Sequence, residues 1–269
     1  MNTTIPKTGI QNRIDKLFEK KQQDILNVYF TAGYPALQDT VTILKALQQG
    51  GADLVEIGLP YSDPVADGPT IQASNQQALE GGMNMKLLFE QLKGVRQEVY
   101  IPLVLMGYFN PVLQYGVEKF CQQCAEVGID GLILPDLPMY EYRQFYQPIF
   151  QQYGLHNIFL ISPQTSEARV REIDDNSSGF IYMVSSASIT GAKKDISQEQ
   201  IQYFERINKM QLKNPRLIGF GISNRATYQQ ANQYASGAII GSAFINLLTK
   251  SKDLEKDIIQ FVKSIKNDA

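Results

Sequence analysis

Leu54-Val55-Glu56-Ile57-Gly58-Leu59-Pro60-Tyr61-Ser62-Asp63-Pro64-Val65-Ala66-Asp67-Gly68-Pro69 contains the architecture of the chain in miniature. It begins as a short apolar run, breaks at Gly58 and Pro60, and leads through a proline-stiffened loop to a helix starting near Thr70. Short apolar runs suit strands buried on both faces, and Gly and Pro force the chain out of the sheet. The same unit recurs along the sequence. Candidate strands are Ile25–Thr31, Leu54–Gly58, Ile101–Met106, Gly131–Leu134, Asn157–Ile161, Phe180–Val184, Leu217–Phe220 and Ala238–Ile240. Amphipathic stretches separate them: Leu37–Gln49, Lys86–Gln97, Val117–Val127, Glu141–Tyr153, Ser166–Asp174, Gln198–Met210, Arg225–Gln233 and Leu254–Lys266. Ile10–Lys20 reads as an additional helix before the first strand.

Alternating strand and helix predicts an α/β fold with a parallel sheet. Eight units that close on one another make a (β/α)8 TIM barrel with an extra N-terminal helix; an open doubly wound sheet is the competing arrangement. The 269 residues match the about 250 that one such barrel takes, so residues 1–269 are expected to form a single domain. Hydrophobic residues at 43% suffice for a large core, and a formal net charge of -2 gives no reason to expect nucleic acid or a membrane as partner. Met1 to Gly9 lacks the apolar core of a secretory signal. With two cysteines and no long apolar run, an intracellular protein is expected, in the cytoplasm, or in the plastid stroma if organelle-encoded.

In such barrels the loops after the strands carry the chemistry. Glu56 stands near the end of an apolar strand, where burial raises a carboxyl pKa and suits it to give and take protons. The alternatives are a salt-bridged acid or a strand end in water. Asp63 and Asp67 follow in a stiffened loop, as placed functional acids or as caps of a turn or of the next helix. Glycines recur after the last three strands, in Thr190-Gly191, Gly219-Phe220-Gly221-Ile222-Ser223 and Gly241-Ser242. The last opens a short helix, Ala243–Leu248, and a helix start preceded by glycine suits a phosphate. His156 precedes the fifth strand, on the opposite face, and reads as structural; histidine-based catalysis is disfavoured. Cys121 and Cys124 lie inside a helical pattern and read as packing. No lysine stands at a strand end to form a Schiff base.

Thr31-Ala32-Gly33-Tyr34-Pro35, the run EIGLPYSDPVADGP from Glu56 to Pro69, Phe109-Asn110-Pro111-Val112, Asp136-Leu137-Pro138, Tyr182 and the three glycine sites stand in one order. Over nearly its full length the chain resembles the tryptophan synthase α subunit. The resemblance implies a lyase of tryptophan biosynthesis that cleaves indole-3-glycerol phosphate to indole and glyceraldehyde 3-phosphate. It implies Glu56 as the main acid/base, Asp67 against the indole N–H and Tyr182 beside them. It implies Gly191, Gly221, Gly241 and Ser242 around the phosphate, with Phe220 and Thr190 at the indole pocket. It implies no cofactor on this chain, pyridoxal phosphate on a β-subunit partner, and an α2β2 heterotetramer. Ser188 stands where the family usually has glycine, and Ser186 where some members carry arginine. A free-standing indole-releasing lyase, a non-catalytic β-subunit activator, and another phosphate-binding barrel enzyme are the alternatives.

Overall fold

Among the described residues, nine short parallel strands form one sheet: β1 (Ile25–Thr31), β2 (Leu54–Gly58), β3 (Leu103–Met106), β4 (Gly131–Ile133), β5 (His156–Asn157), β6 (Leu160–Ile161), β7 (Ile181–Val184), β8 (Arg216–Gly219) and β9 (Gly237–Ile240). The structure is a computed structural model and describes residues 12–64, 67–184, 197–219 and 221–266. Strand order is β5-β4-β3-β2-β1-β9-β8-β7-β6. The two ends of that order are neighbours in the chain, separated only by Ile158 and Phe159. The Ile158 N–H donates to Leu132 (3.0 Å) on one side, and Phe159 accepts from the Tyr182 N–H (3.0 Å) on the other. The sheet therefore closes on itself as a barrel, and an open doubly wound sheet is excluded.

The fifth predicted strand, Asn157–Ile161, is thus two short ladders rather than one. A strand that must pair with β4 at its start and β7 at its end bends between them. Other boundaries moved for local reasons. The helix expected over Lys86–Gln97 ends at Leu92, and Gly94, at φ +76°, starts a separate 3-10 turn at Val95–Gln97. The third strand begins at Leu103, after Pro102. Phe109–Tyr115, read only as a loop, forms a helix. The N-terminal helix is described from Arg13 to Lys20, and the last helix spans Leu254–Lys266 as expected.

Alternation along the strands sorts the side chains into two cores. Ile25, Leu54, Val104, Ile133, Ile158, Phe180, Tyr182, Leu217 and Ile239 point into the barrel and cluster there. Their neighbours, among them Leu26, Val55, Leu105, Leu132, Met183 and Ile240, pack outward against the helices. Both sets are apolar, which is why the strands read as continuous hydrophobic runs.

The N-terminal helix plugs the end of the barrel where the strands begin. Ile14 is buried among the inward-facing residues, and Asn12 Nδ2 donates to the carbonyls of Asp130 (2.7 Å) and Gly154 (3.2 Å). The buried Asp130 carboxylate pairs with Arg13 (2.9 Å) and Arg96 (2.7 Å) and accepts from the Leu103 N–H (2.9 Å). A buried carboxylate this fully paired holds; removing one partner of such a group costs about 3–5 kcal/mol. His156 lies at this end, 4% exposed, with Nε2 2.9 Å from Asp15 Oδ2 of the plugging helix. The structural reading of that histidine is correct. Cys121 and Cys124 are buried on the helix Val117–Val127, and burial pushes the Cys121 thiol up to about 12.

Candidate active site

The strand ends opposite this plug carry the polar side chains. Glu56, the third residue of β2, is in register with Tyr29 of β1 and Val104 of β3, so the three share the inward face. It is fully buried. One carboxylate oxygen, Oε1, accepts from Asn27 Nδ2 at 2.5 Å; the other, Oε2, has no hydrogen-bond partner. No ion pair among the described residues includes Glu56, so the salt-bridge reading fails, as does that of a strand end in water. Burial pushes the carboxyl up to about 8, with the Asn27 hydrogen bond opposing part of the rise.

Asp67 lies on the loop between β2 and the helix Pro69–Glu80. Its N–H donates to Pro64 (3.0 Å), and its carbonyl accepts from Gln72 Nε2 (2.8 Å) in the first turn of that helix. The helix is capped by Gly68 without a side-chain hydrogen bond, so neither Asp63 nor Asp67 caps it. Asp63 is exposed; Asp67 is half-buried, and burial pushes its carboxyl up to about 6.

Tyr182 on β7 is 5% exposed. Burial holds its phenol well above the usual value, and the charges of Glu56, Asp67 and Tyr29 raise it further. Both carboxylates therefore lie within electrostatic reach of one phenol. Tyr29 feels them too: burial raises its phenol first, then the charge of Asp67, with Glu56 and Tyr108 adding less. Sequence reading passed over Tyr29 and Asn27 as parts of an apolar strand. The available signal was period-two spacing, Asn27-x-Tyr29-x-Thr31, which places three polar groups on one face.

Two glycines make room for these rings. A β-carbon on Gly58 would overlap the Tyr29 hydroxyl, and one on Gly219 would overlap that of Tyr182. Tyr29 also extends toward the glycine-rich end of the mouth, where a β-carbon on Gly241 would stand 3.6 Å from its ring. Gly241 caps the helix Ser242–Lys250, whose first turn has no acidic residue. The N–H groups of a first turn have no partner within the helix and face outward, ready for an anion. Gly221 has φ +80°, a conformation that favours glycine. Thr190, Gly191 and Phe220, like the Ser186 and Ser188 positions, lie outside the described residues. Of the remaining expected residues, Glu56, Asp67, Tyr182 and Gly241 share the mouth with Tyr29, while Ser242 begins the helix after β9 and Gly221 lies in the loop after β8.

Comparison with known proteins points one way. A family model described as "Tryptophan synthase alpha chain" matches residues 16–268. The tryptophan synthase alpha chain of Flavobacterium johnsoniae is 59% identical over 240 residues, 88% of this chain and 95% of that one. That of Bacteroides thetaiotaomicron is 52% identical over 255 residues, 95% of this chain and all of that one, at 100%. Among solved structures, tryptophan synthase subunit alpha from Legionella pneumophila superposes with TM-score 0.85 at 35% identity, covering 95% of this chain and 97% of that one. A chain of Mycobacterium tuberculosis tryptophan synthase does so with TM-score 0.85 at 32% identity, with coverage of 95% and 97%.

Proposed function

We infer the roles of the mouth residues from a plain premise: the chain belongs to the tryptophan synthase α chain family. It is a carbon–carbon lyase, and its reaction is the retro-aldol cleavage of indole-3-glycerol phosphate to indole and glyceraldehyde 3-phosphate. Breaking that bond requires a proton delivered to the indole ring carbon and another removed from the adjacent glycerol hydroxyl, which becomes the aldehyde. Glu56 does both. As a neutral acid it gives its proton to the ring carbon, and as the resulting carboxylate it takes the hydroxyl proton. The observation that carries this reading is its buried, unpartnered Oε2 at the barrel mouth.

Protonation of the ring carbon puts positive charge on the indole nitrogen. Asp67, held by its backbone to the following helix, stabilises that charge as a carboxylate. Tyr182 lines the space between the two acids. The substrate phosphate sits on Gly241, Ser242, Gly221 and Gly191, and Phe220 with Thr190 closes around the indole. Spacing the phosphate and the acids across the mouth orients the scissile bond.

This chain supplies the cleavage with no cofactor of its own. Its partner is a β subunit carrying pyridoxal phosphate, which takes up the indole, in an α2β2 assembly. No helix of the described residues is long and apolar enough to cross a membrane. With relatives that are bacterial, the cytoplasm is the proposed location.

The test is indole release from indole-3-glycerol phosphate, with and without β subunit. Glu56→Gln abolishes cleavage with the fold intact, and Asp67→Asn lowers turnover strongly with little change in phosphate affinity. Near-normal turnover of Glu56→Gln removes that residue from the mechanism. Full activity without any stimulation by β subunit marks a free-standing lyase instead.

A further inference from the structure

We propose that Asn27 is the positioning residue of the reaction: its side-chain amide holds Oε1 of Glu56, so that the transferable proton resides on Oε2, facing the substrate. The proposal rests on the acid/base reading of Glu56 and adds which of its two oxygens works.

Asn27 and Glu56 are both fully buried, on adjacent strands of the inward face. Asn27 is in register with Leu54, one pleat below the Tyr29–Glu56 pair, so its amide reaches up to the carboxyl from beneath. Nδ2 donates to Oε1 at 2.5 Å. An oxygen accepting an N–H is the poorer place for a proton, because adding one there would set hydrogen against hydrogen. Oε2 has no such donor, nor does any group bond Asn27 Oδ1. A buried acceptor left without a donor is unfavourable, so packing alone does not favour an amide at this position over an apolar side chain. What the amide supplies is one directed N–H.

Among the described residues, the titratable groups linked electrostatically to Glu56 are Tyr29 on the neighbouring strand and Tyr182 from β7, and Asp67 from the loop above acts on the same two phenols. None of them is a cation. Asn27 is thus the group among the described residues that favours the ionised carboxylate, against burial.

Asn27→Leu keeps the shape and removes the donor. Its expected phenotype is a fall in kcat of tenfold or more with KM nearly unchanged. The alkaline limb of kcat/KM against pH should also move upward by about one pH unit, the size of a hydrogen bond to a charged group. Asn27→Gln, which retains a donor, restores part of kcat and returns the limb toward its original position. Circular dichroism and a thermal melt accompany each variant, and Asn27→Val, which likewise has no donor, replaces Leu if that variant does not fold. An unmoved pH limb overturns the proposal whatever happens to kcat. Failure of the underlying reading shows separately, as turnover surviving in Glu56→Gln alone.

Discussion

Tyr182 on β7 crosses directly over Gly219 on the neighbouring β8, so closely that a β-carbon on the glycine would overlap the tyrosine's hydroxyl and ring carbons. Gly219 has no left-handed φ, so what it provides is space rather than backbone freedom. Gly219→Ala is expected to displace Tyr182 from the mouth and lower turnover about tenfold, equivalent to ~1.4 kcal/mol of transition-state energy. Overpacking of this kind also lowers stability, by ~1–3 kcal/mol. Steady-state kinetics with a thermal melt checks both; wild-type turnover in this variant would show that the position of Tyr182 is immaterial.

The two acids titrate in a useful order. Burial sets Asp67 at about 6 and the more deeply buried Glu56 at about 8. Between those values Asp67 is a carboxylate while Glu56 is still an acid, the combination from which the proposed mechanism starts. A bell-shaped kcat/KM profile is expected, with limbs near 6 and 8 that belong to the coupled site. Asp67→Asn removes the acidic limb from what activity remains. A profile flat from pH 5 to 9 (about the span both groups cover) would contradict the assignment.

The raised Glu56 carboxyl also links stability to pH. The native state holds this proton up to about 8, whereas a solvated carboxyl of the unfolded chain loses it near 4.5. Across that interval the native state binds more protons than the unfolded one, so the slope of unfolding free energy with pH is negative. The contribution is fully present below 4.5 and lost as pH rises through about 8. Glu56→Gln removes the group, and its stability relative to the parent should rise on going from acid to alkaline pH by a few kcal/mol, on the order of what the raised carboxyl represents. Urea unfolding of both proteins at several pH values measures this; parallel curves would mean Glu56 is not held neutral.

At the proposed phosphate end, Ser242→Asp places a carboxylate on the first residue of the helix Ser242–Lys250. An acid there favours the helix itself by ~0.3–1 kcal/mol. It repels a bound phosphate, so KM should rise about tenfold or more while the melting temperature holds or increases. An unchanged KM would place the phosphate elsewhere.

Residues read from the sequence and those found only in the fold differ in kind. Glu56 was legible because a lone acid ends an apolar strand, and Gly241-Ser242 because glycine precedes a helix start. Tyr29 was not, because a tyrosine in a strand is as often core as site. Its relation to Gly58, Gly241 and Asp67 spans separate strands and loops. Whether Asp67 caps the next helix could not be read locally either, and only the structure shows that Gly68 is the cap. The fifth strand looked continuous because local propensity takes no account of pairing partners that change midway.

The order of strands and helices, the apolar faces and the glycine turns were settled locally, since they depend on side-chain branching, spacing and backbone sterics within a few residues. Closure of the barrel through two half-strands was decided in three dimensions. So was the pairing of Asn27 with one oxygen of Glu56, and with it the chemistry open to the other. Hydrogen bonds and burial join residues distant in the chain, and a carboxyl's proton affinity depends on everything that surrounds it.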